Sequence, residues 1–272
     1  MERLNGDRAM RAVVSGGTSG IGAAASLRLA EAALARGAKP MIAVCGHEPS
    51  RLQEEIVRSI QSMGGTAIAL SGDLGDPEVP ARMVAAAVKE FGGLDALVSN
   101  AGIAHPRPLS ELSVEDWDGM FSVNVRGAWL LAKASYPHLA ASQGAACFTS
   151  SMSGQLPHAG SGAYSPSKAA LTLLAQTLAL EWASDGIRVN VVSPGMTRTR
   201  MTEKMYEDSR IKQQRESIIP LHRIGDPMDV ANVIEFLVGP LSGYVTGQDI
   251  CVDGGFSKSI LSHIPGRPSS QA

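Results

Sequence analysis

Seven short apolar runs recur along the chain, and they restrict its fold more than any other feature. They are RAVVS (11–15), MIAVC (41–45), TAIALS (66–71), DALVS (95–99), AACFTS (145–150), IRVNVVS (187–193) and DICVD (249–253). Stretches of helical period lie between most of them, such as AAASLRLAEAALAR (23–36), RLQEEIVRSIQSM (51–63), ARMVAAAVKEF (81–91) and AALTLLAQTLALEWA (169–183). Strand and helix in alternation predict an α/β fold. A doubly wound parallel seven-stranded sheet should form the middle of a three-layer α/β/α sandwich. The runs are apolar throughout rather than at every second residue, which suits a sheet covered on both faces. No internal repeat or linker-like composition divides the 272 residues. Residues 1–272 are therefore expected to form a single domain, with a core of about 10–257 and a C-terminal extension at 258–272. The polar tail GRPSSQA (266–272) is expected to fray or to dock on a neighbouring subunit.

Charge and cysteine usage narrow the function classes. Lys and Arg number 24 against 26 Asp and Glu, so the net charge of −2 gives no support to nucleic-acid binding or to a basic membrane surface. No run approaches the roughly 18–20 apolar residues of a membrane-spanning helix. The opening MERLNGDRAMRAVV lacks the apolar stretch of a signal peptide, which makes the cytoplasm the expected location. Cys45, Cys147 and Cys251 are odd in number and far apart, so they read as buried small hydrophobes in a reducing compartment. No Cys or His pair has ligand spacing, and no metal is expected.

The first run leads directly into SGGTSGIG (15–22), and a helical pattern follows. Gly16, Gly20 and Gly22 let the backbone turn sharply and come close to a bound group. The helix start offers unpaired N–H groups and a positive dipole end, which suit a pyrophosphate. A glycine loop alone is often only a tight turn. Its place between strand one and a helix favours phosphate binding.

The spacing is G-x-x-x-G-x-G, and here the sequence resembles the short-chain dehydrogenases/reductases (SDR family), whose loop reads TGxxxGIG. Ser15 stands in the threonine position and keeps a hydroxyl. Further motifs follow in the family's order over about residues 10–257: GDL (72–74), SNAG (99–102), NVRG (124–127), SSMSG (150–154), YSPSK (164–168), RVNVVSPG (188–195) and VDGG (252–255). The resemblance implies a Rossmann fold and a nicotinamide dinucleotide. It implies that the glycine loop with Gly16, Thr18, Ser19, Gly20, Ile21 and Gly22 binds the cofactor, that Asp73 contacts the adenine, and that Leu74, Asn100, Ala101 and Gly102 are further cofactor-binding residues. Pro194, Gly195, Thr197 and Thr199 belong to the PGMTRT segment (194–199), which would grip the nicotinamide carboxamide. Which of the two threonines makes the side-chain contact stays open. The implied catalytic residues are Asn124, Ser151, Tyr164 and Lys168.

Tyrosine ordinarily has a pKa near 10 and is a poor acid–base catalyst at neutral pH. Residues i and i+4 share a helix face, so Lys168 can lie beside Tyr164. An ammonium within about 4–6 Å favours phenolate, as does an oxidised nicotinamide. Bringing the value down by ~3 units needs roughly 4 kcal/mol. Pro166 is tolerated only in a first helical turn, which puts Tyr164 at a helix start. By resemblance Ser151 hydrogen-bonds the substrate oxygen, and Asn124 positions a water that relays protons from Lys168. Lys168 also binds the nicotinamide ribose. Tyr164 then protonates a carbonyl oxygen as hydride arrives, or takes the alcohol proton as hydride leaves.

The end of the second strand reads VCGHEPSR (44–51). By resemblance Gly46 fills the slot where NAD enzymes carry an acid, and His47 the slot where NADP enzymes often carry arginine. NADP is the favoured cofactor, with NAD possible and a solvated His47 as the plainer alternative. The first helix is about one turn longer than the family leads one to expect. Substrate shape should be set by 152–163 and by the segment after Thr199. That segment is rich in Arg200, Lys204, Arg210, Lys212 and Arg215, and reads as a pair of amphipathic helices or, more sharply, as an attractor for an anionic carrier. His105, His158 and His222 are candidates for the pocket or for solvated loops. The expected activity interconverts a ketone and a secondary alcohol, with a 3-oxoacyl-ACP or CoA thioester as the first substrate choice. A sugar, polyol, steroid or small alcohol is the alternative. From another class, a dinucleotide-binding sensor or scaffold without turnover also fits. A homo-oligomer, tetramer or dimer, is expected through the apolar helix at 169–183 and the tail.

Overall fold

The seven apolar runs become seven strands, within about a residue of their expected ends. In this computed structural model, which describes residues 9–264, the strands are β1 (Met10–Ser15), β2 (Pro40–Gly46), β3 (Thr66–Ser71), β4 (Ala96–Ser99), β5 (Ala145–Thr149), β6 (Arg188–Pro194) and β7 (Asp249–Val252). They form one sheet in the order β3-β2-β1-β4-β5-β6-β7, and every neighbouring pair is parallel. The helices are α1 (Gly20–Ala35), α2 (Arg51–Ser62), α3 (Val79–Phe91), α4 (Val114–Phe121), α5 (Ala128–Ser142), α6 (Tyr164–Trp182), α7 (Glu203–Tyr206), α8 (Ser209–Ile218) and α9 (Pro227–Val238). Most of MERLNGDRAMRAVV and all of GRPSSQA lie outside the described residues.

Side chains of successive strand residues point to opposite faces. Val13, Leu97 and Phe148 pack with Leu131 of α5 and Leu171 of α6 on one side. Val14, Val98 and Cys147 pack with Leu29 of α1 and Ile234 of α9 on the other. Two apolar layers therefore sandwich the sheet, and all of these side chains are fully buried. The chain begins in the middle of the sheet, winds outward to β3, then returns past β1 to build the other half. Ser15 is paired with both Cys45 and Ser99, so the crossovers leave β1 and β4 in opposite directions from a common rim. A crevice at the carboxyl ends of the strands results from that reversal.

Two expectations need amendment. Cys251 is half-exposed rather than buried, because β7 is an edge strand paired only with β6, and its thiol donates to Gln155 Oε1 at 3.4 Å. Cys45 and Cys147 are buried, and burial pushes both thiols up to about 12. The pair of helices after Thr199 is present as α7 and α8, yet no side chain of α8 is fully buried. Among the described residues no helix is long and apolar enough to cross a membrane.

Leu97 is enclosed in the central strand β4. Leu97→Ala should lower unfolding free energy by about 3 kcal/mol, read as a drop in urea midpoint at unchanged slope. A loss below about 1 kcal/mol would contradict the packing described for that layer.

Candidate active site

A cleft of about 1060 Å³ follows the rim of the sheet across β1, β2, β4, β5 and β6. Its floor is the glycine loop. Gly16 and Gly20 have φ of 63° and 52°, which L side chains rarely adopt. A Cβ on Gly16 would stand 2.9 Å from the Ala101 Cα, and one on Gly22 would overlap the Gly16 carbonyl. Gly22 thus lies behind the loop, while Gly16, Thr18, Ser19, Gly20 and Ile21 face the cleft. Ser19 precedes α1 without a side-chain capping bond, so no side chain screens the first-turn N–H groups from an anion. The Ser15 hydroxyl accepts from Asn100 N at 3.0 Å and Ala101 N at 3.1 Å, and Asn100 Nδ2 donates to Gly16 O at 3.3 Å. These bonds tie the ends of β1 and β4 together.

At one end of the cleft, Asp73 and Leu74 follow β3, and His47 follows β2. Asp73 Oδ1 accepts from Gly75 N at 2.8 Å and lies 3.9 Å from His47 Nδ1. A Cβ on Gly46 would come within 2.6 Å of Thr18 Cγ2, so a side chain there would require Thr18 to shift. Buried Gln53 of α2 braces this end, donating to Val44 O and Leu70 O at 2.8 Å each and accepting from Ser71 Oγ at 3.1 Å. Nothing in the pattern of α2 distinguished Gln53, because an amide on an otherwise polar helix carries no periodic signal.

At the other end, Ser151 follows β5 and Tyr164 opens α6, with Pro166 in its first turn. Lys168 lies one turn further on, almost fully buried. Its Nζ donates to Thr149 O at 2.8 Å and stands 5.8 Å from the centre of the Tyr164 ring. All three side chains line the cleft. The electrostatics differ from the expectation. Burial holds the Tyr164 hydroxyl above its ordinary value, while the Ser151 hydroxyl pulls the other way. Burial also lowers Lys168 from 10.5 to about 8. The phenol is therefore not acidified by the lysine alone, because desolvation outweighs the attraction of an ammonium beyond its ring.

Asn124 is not on the cleft wall. It lies on a π-helical turn, Ser122–Gly127, between α4 and α5 and is fully buried. Its Oδ1 accepts from Ile103 N at 2.8 Å, and its Nδ2 donates to Ile103 O and Ser167 Oγ at 3.0 Å each. Ser167 Oγ in turn donates to Tyr164 O at 2.8 Å. Asn124 braces the loop after β4 against the start of α6. A Cβ on Gly102 would stand 3.2 Å from both Asn124 Oδ1 and Lys168 Nζ, which explains the glycine.

Pro194, Gly195, Thr197 and Thr199 line the wall beyond β6, as do Asn100, Ala101 and Gly102 beyond β4. Thr197 is buried, and its hydroxyl turns to Gly195 O at 3.3 Å. Thr199 packs beside Gly20, within 3.3 Å of where a Cβ there would sit, so it is the threonine that faces the glycine loop. Arg200 is on the wall, whereas Lys204, Arg210, Lys212 and Arg215 are not. Arg210 pairs with Asp208, Lys212 with Glu216, and Arg215 lies over the Tyr206 ring. Local partners thus absorb most of the charge once read as an anion attractor. His47 and His105 line the cleft, while His158 and His222 do not. Among the described residues no group of three or more His, Cys, Asp or Glu is placed to hold a metal.

A glycine cradle, a helix start without a capping side chain and an elongated cleft fit a dinucleotide with a central pyrophosphate. Comparison with known proteins agrees. The family described as enoyl-(acyl carrier protein) reductase matches residues 16–257. A 2,5-dichloro-2,5-cyclohexadiene-1,4-diol dehydrogenase of Sphingobium indicum is 37% identical over 250 residues, 92% of this chain and 96% of that protein. A cis-4-hydroxycyclohexanecarboxylate dehydrogenase of Sinomonas cyclohexanicum is 36% identical over 248 residues, 90% of this chain and 96% of that one. The crystal structure of a short-chain dehydrogenase from Burkholderia cenocepacia in complex with NADP superposes with a TM-score of 0.83 at 34% identity, covering 94% of this chain and 100% of the other.

Because the folded value of Lys168 is lowered, the unfolded chain binds that proton more tightly. The penalty for a buried ammonium is present below about pH 8 and is relieved as pH rises towards 10.5. Across that window the wild type should gain about 3 kcal/mol of unfolding free energy relative to Lys168→Met, measured by urea titration at several pH values. Parallel pH profiles for the two proteins would rule out an ammonium buried at this position.

Proposed function

The chain belongs to the short-chain dehydrogenase/reductase family, and from that premise we propose that it interconverts a ketone and a secondary alcohol with Tyr164 as proton donor and acceptor. The carrying observation is the convergence of Ser151, Tyr164 and Lys168 at one end of a nucleotide-shaped cleft. A nicotinamide dinucleotide, when bound, supplies or accepts the hydride. Gly16, Thr18, Ser19, Gly20 and Ile21 hold its pyrophosphate, and Thr199 with Pro194 and Gly195 meets its nicotinamide end. Ser151 donates to the substrate oxygen and fixes the carbonyl beside Tyr164. Tyr164, kept as the neutral phenol, gives its proton to that oxygen in reduction. Lys168, lowered to about 8, exchanges protons readily near neutrality and recharges the phenol. Asn124 positions Lys168 and Tyr164 through Ile103 and Ser167 rather than touching substrate. A sensor without turnover would not need this complete acid–base set.

We favour NADP over NAD, since Gly46 puts no acid at the ribose and His47 lines the cleft beside it. The substrate reading shifts from a 3-oxoacyl thioester to an alicyclic alcohol or ketone. Two relatives are named for ring substrates, and Arg210, Lys212 and Arg215 of α8 are occupied by local partners. The thioester stays as the second reading because of the matched family's description. The chain acts as one domain, in the cytoplasm, where the Cys45 and Cys147 thiols stay reduced. It assembles as a tetramer or dimer through the groove lined by Phe121, Val125, Trp129 and Leu174.

Tyr164→Phe should reduce kcat/KM for cyclohexanol-type substrates by at least about 100-fold, with dinucleotide affinity changed less than about threefold. Absorbance at 340 nm reads the first and nicotinamide fluorescence the second. Rates equal to wild type would sink the assignment of Tyr164. Trp129→Glu should shift the elution of the 28.4 kDa chain on a sizing column towards the monomer. A wild type already eluting as a monomer would sink the assembly.

A further inference from the structure

We propose that Gln155 is a positioning residue for the reaction: its amide, held by Asp249 and Cys251 of β7, fixes the turn that aims the Ser151 hydroxyl at the substrate oxygen. The inference rests on the role given to Ser151 above and goes beyond it by naming what holds that hydroxyl in place. Gln155 Nε2 donates to Asp249 Oδ2 at 2.6 Å, and Gln155 Oε1 accepts from the Cys251 thiol at 3.4 Å. Ser193 of β6, fully buried, donates to the other carboxylate oxygen of Asp249 at 2.6 Å, so the acceptor is itself clamped. Burial, with Asp249 and Asp253 nearby, holds the Cys251 thiol above its ordinary value and keeps its proton available to the amide. Both ends of the Gln155 amide therefore meet a partner of matching polarity. Among the described residues, no other side chain of 155–163 is hydrogen-bonded to another element.

Backbone bonds carry this anchorage to Ser151. Gln155 N donates to Met152 O at 3.0 Å, and Gly154 N donates to Ser151 O at 2.9 Å, closing the 3₁₀ turn Met152–Gly154. Ser151 Oγ accepts from Ser153 N at 3.1 Å inside that turn. With that lone pair engaged by an amide, the hydroxyl proton is left for an oxygen in the cleft. On its other side the turn is pressed against α6. A Cβ on Gly154 would stand 3.0 Å from both the Lys168 carbonyl carbon and the Ala169 nitrogen. The turn is thus gripped between α6 and the edge strand β7, and Gln155 is the grip on the β7 side. Without it the turn keeps its backbone bonds but is free to tilt away from β7. A misplacement of about 1 Å costs up to ~100-fold in rate. The loss falls on kcat, because the Ser151 donor acts on charge that develops only as the reaction proceeds.

The test compares wild type, Gln155→Ala, Asp249→Ala, the double variant and Gln155→Lys in the reduction of cyclohexanone and related ring ketones by NADPH at 340 nm. Each single alanine variant should lower kcat about tenfold, with KM and the dinucleotide dissociation constant changed less than about twofold. The double variant should be no slower than the slower single one, because both substitutions undo the same bond. Gln155→Lys, whose ammonium can still donate to Asp249, should recover about half or more of the wild-type kcat. Hydrogen exchange at the Ser153 and Gly154 amides gives a reading that needs no turnover, and both should exchange about tenfold faster in Gln155→Ala. A kcat for Gln155→Ala within twofold of wild type would overturn the inference, as would losses that multiply in the double variant or exchange rates that do not move. A wild type that reduces no ketone, with exchange responding as expected, would instead overturn the catalytic reading of the cleft, so the two failures are distinct.

Discussion

Desolvation at the end of β5 governs the chemistry of this protein. Lys168 is almost wholly enclosed and rests on a single carbonyl, Thr149 O. Tyr164 sits above it with its hydroxyl beside Ser151. Burial opposes the charged form of each group, so the phenol moves up and the ammonium moves down to about 8. The two values therefore move apart, the phenol above its ordinary range and the ammonium well below its own. That order suits the proton transfer proposed for the direction of reduction. The donor must hold its proton at neutral pH until an oxygen needs it, and the group that replenishes it must part with protons easily.

Holding those groups in place takes a chain of bonds that begins far from the reacting atoms. Ser15 at the end of β1 ties down Asn100 and Ala101 at the end of β4. The loop continues to Ile103, which Asn124 grips through both its backbone N–H and its carbonyl. The same amide reaches Ser167, whose hydroxyl returns to the Tyr164 carbonyl. On the far side Ser150 Oγ donates to the Lys168 carbonyl at 3.0 Å and accepts from Thr172. The first turn of α6 is thus fixed from two strands and from a π-helical turn. Such turns are inserted where a side chain must be re-aimed, often at functional sites.

Much of this was legible in the sequence. The strands were visible because a sheet buried on both faces demands uninterrupted apolar runs. Tyr164 at a helix start was visible because Pro166 admits few other positions. What stayed hidden depends on partners brought from elsewhere. Gln53 and Ser167 are ordinary polar residues in helical segments until folding sets carbonyls and an amide in front of them. The half-exposure of Cys251 follows from β7 being at the edge, a fact of strand order rather than of composition. The raised value of Tyr164 follows from its burial, whereas spacing fixes only which face a lysine shares. It says nothing of how dry that face is.

The two halves of the cleft are also built to different standards, and that bears on what can vary. The wall that carries Ser151, Tyr164 and Lys168 grows from β5 and α6, whose inward residues are fully enclosed. Beyond β6 the wall is the turn at residues 199–202, which leads into α7 and α8. There only Tyr206, Ile219 and Ile224 form a small separate cluster, and α8 buries no side chain completely. Met201 and Met205 are exposed beside it. A segment with so little apolar anchorage opens at low free-energy cost, as lids over binding sites generally do. Methionines adapt to irregular apolar shapes. Substitutions there can therefore reshape what the cleft accepts without disturbing the acid–base pair.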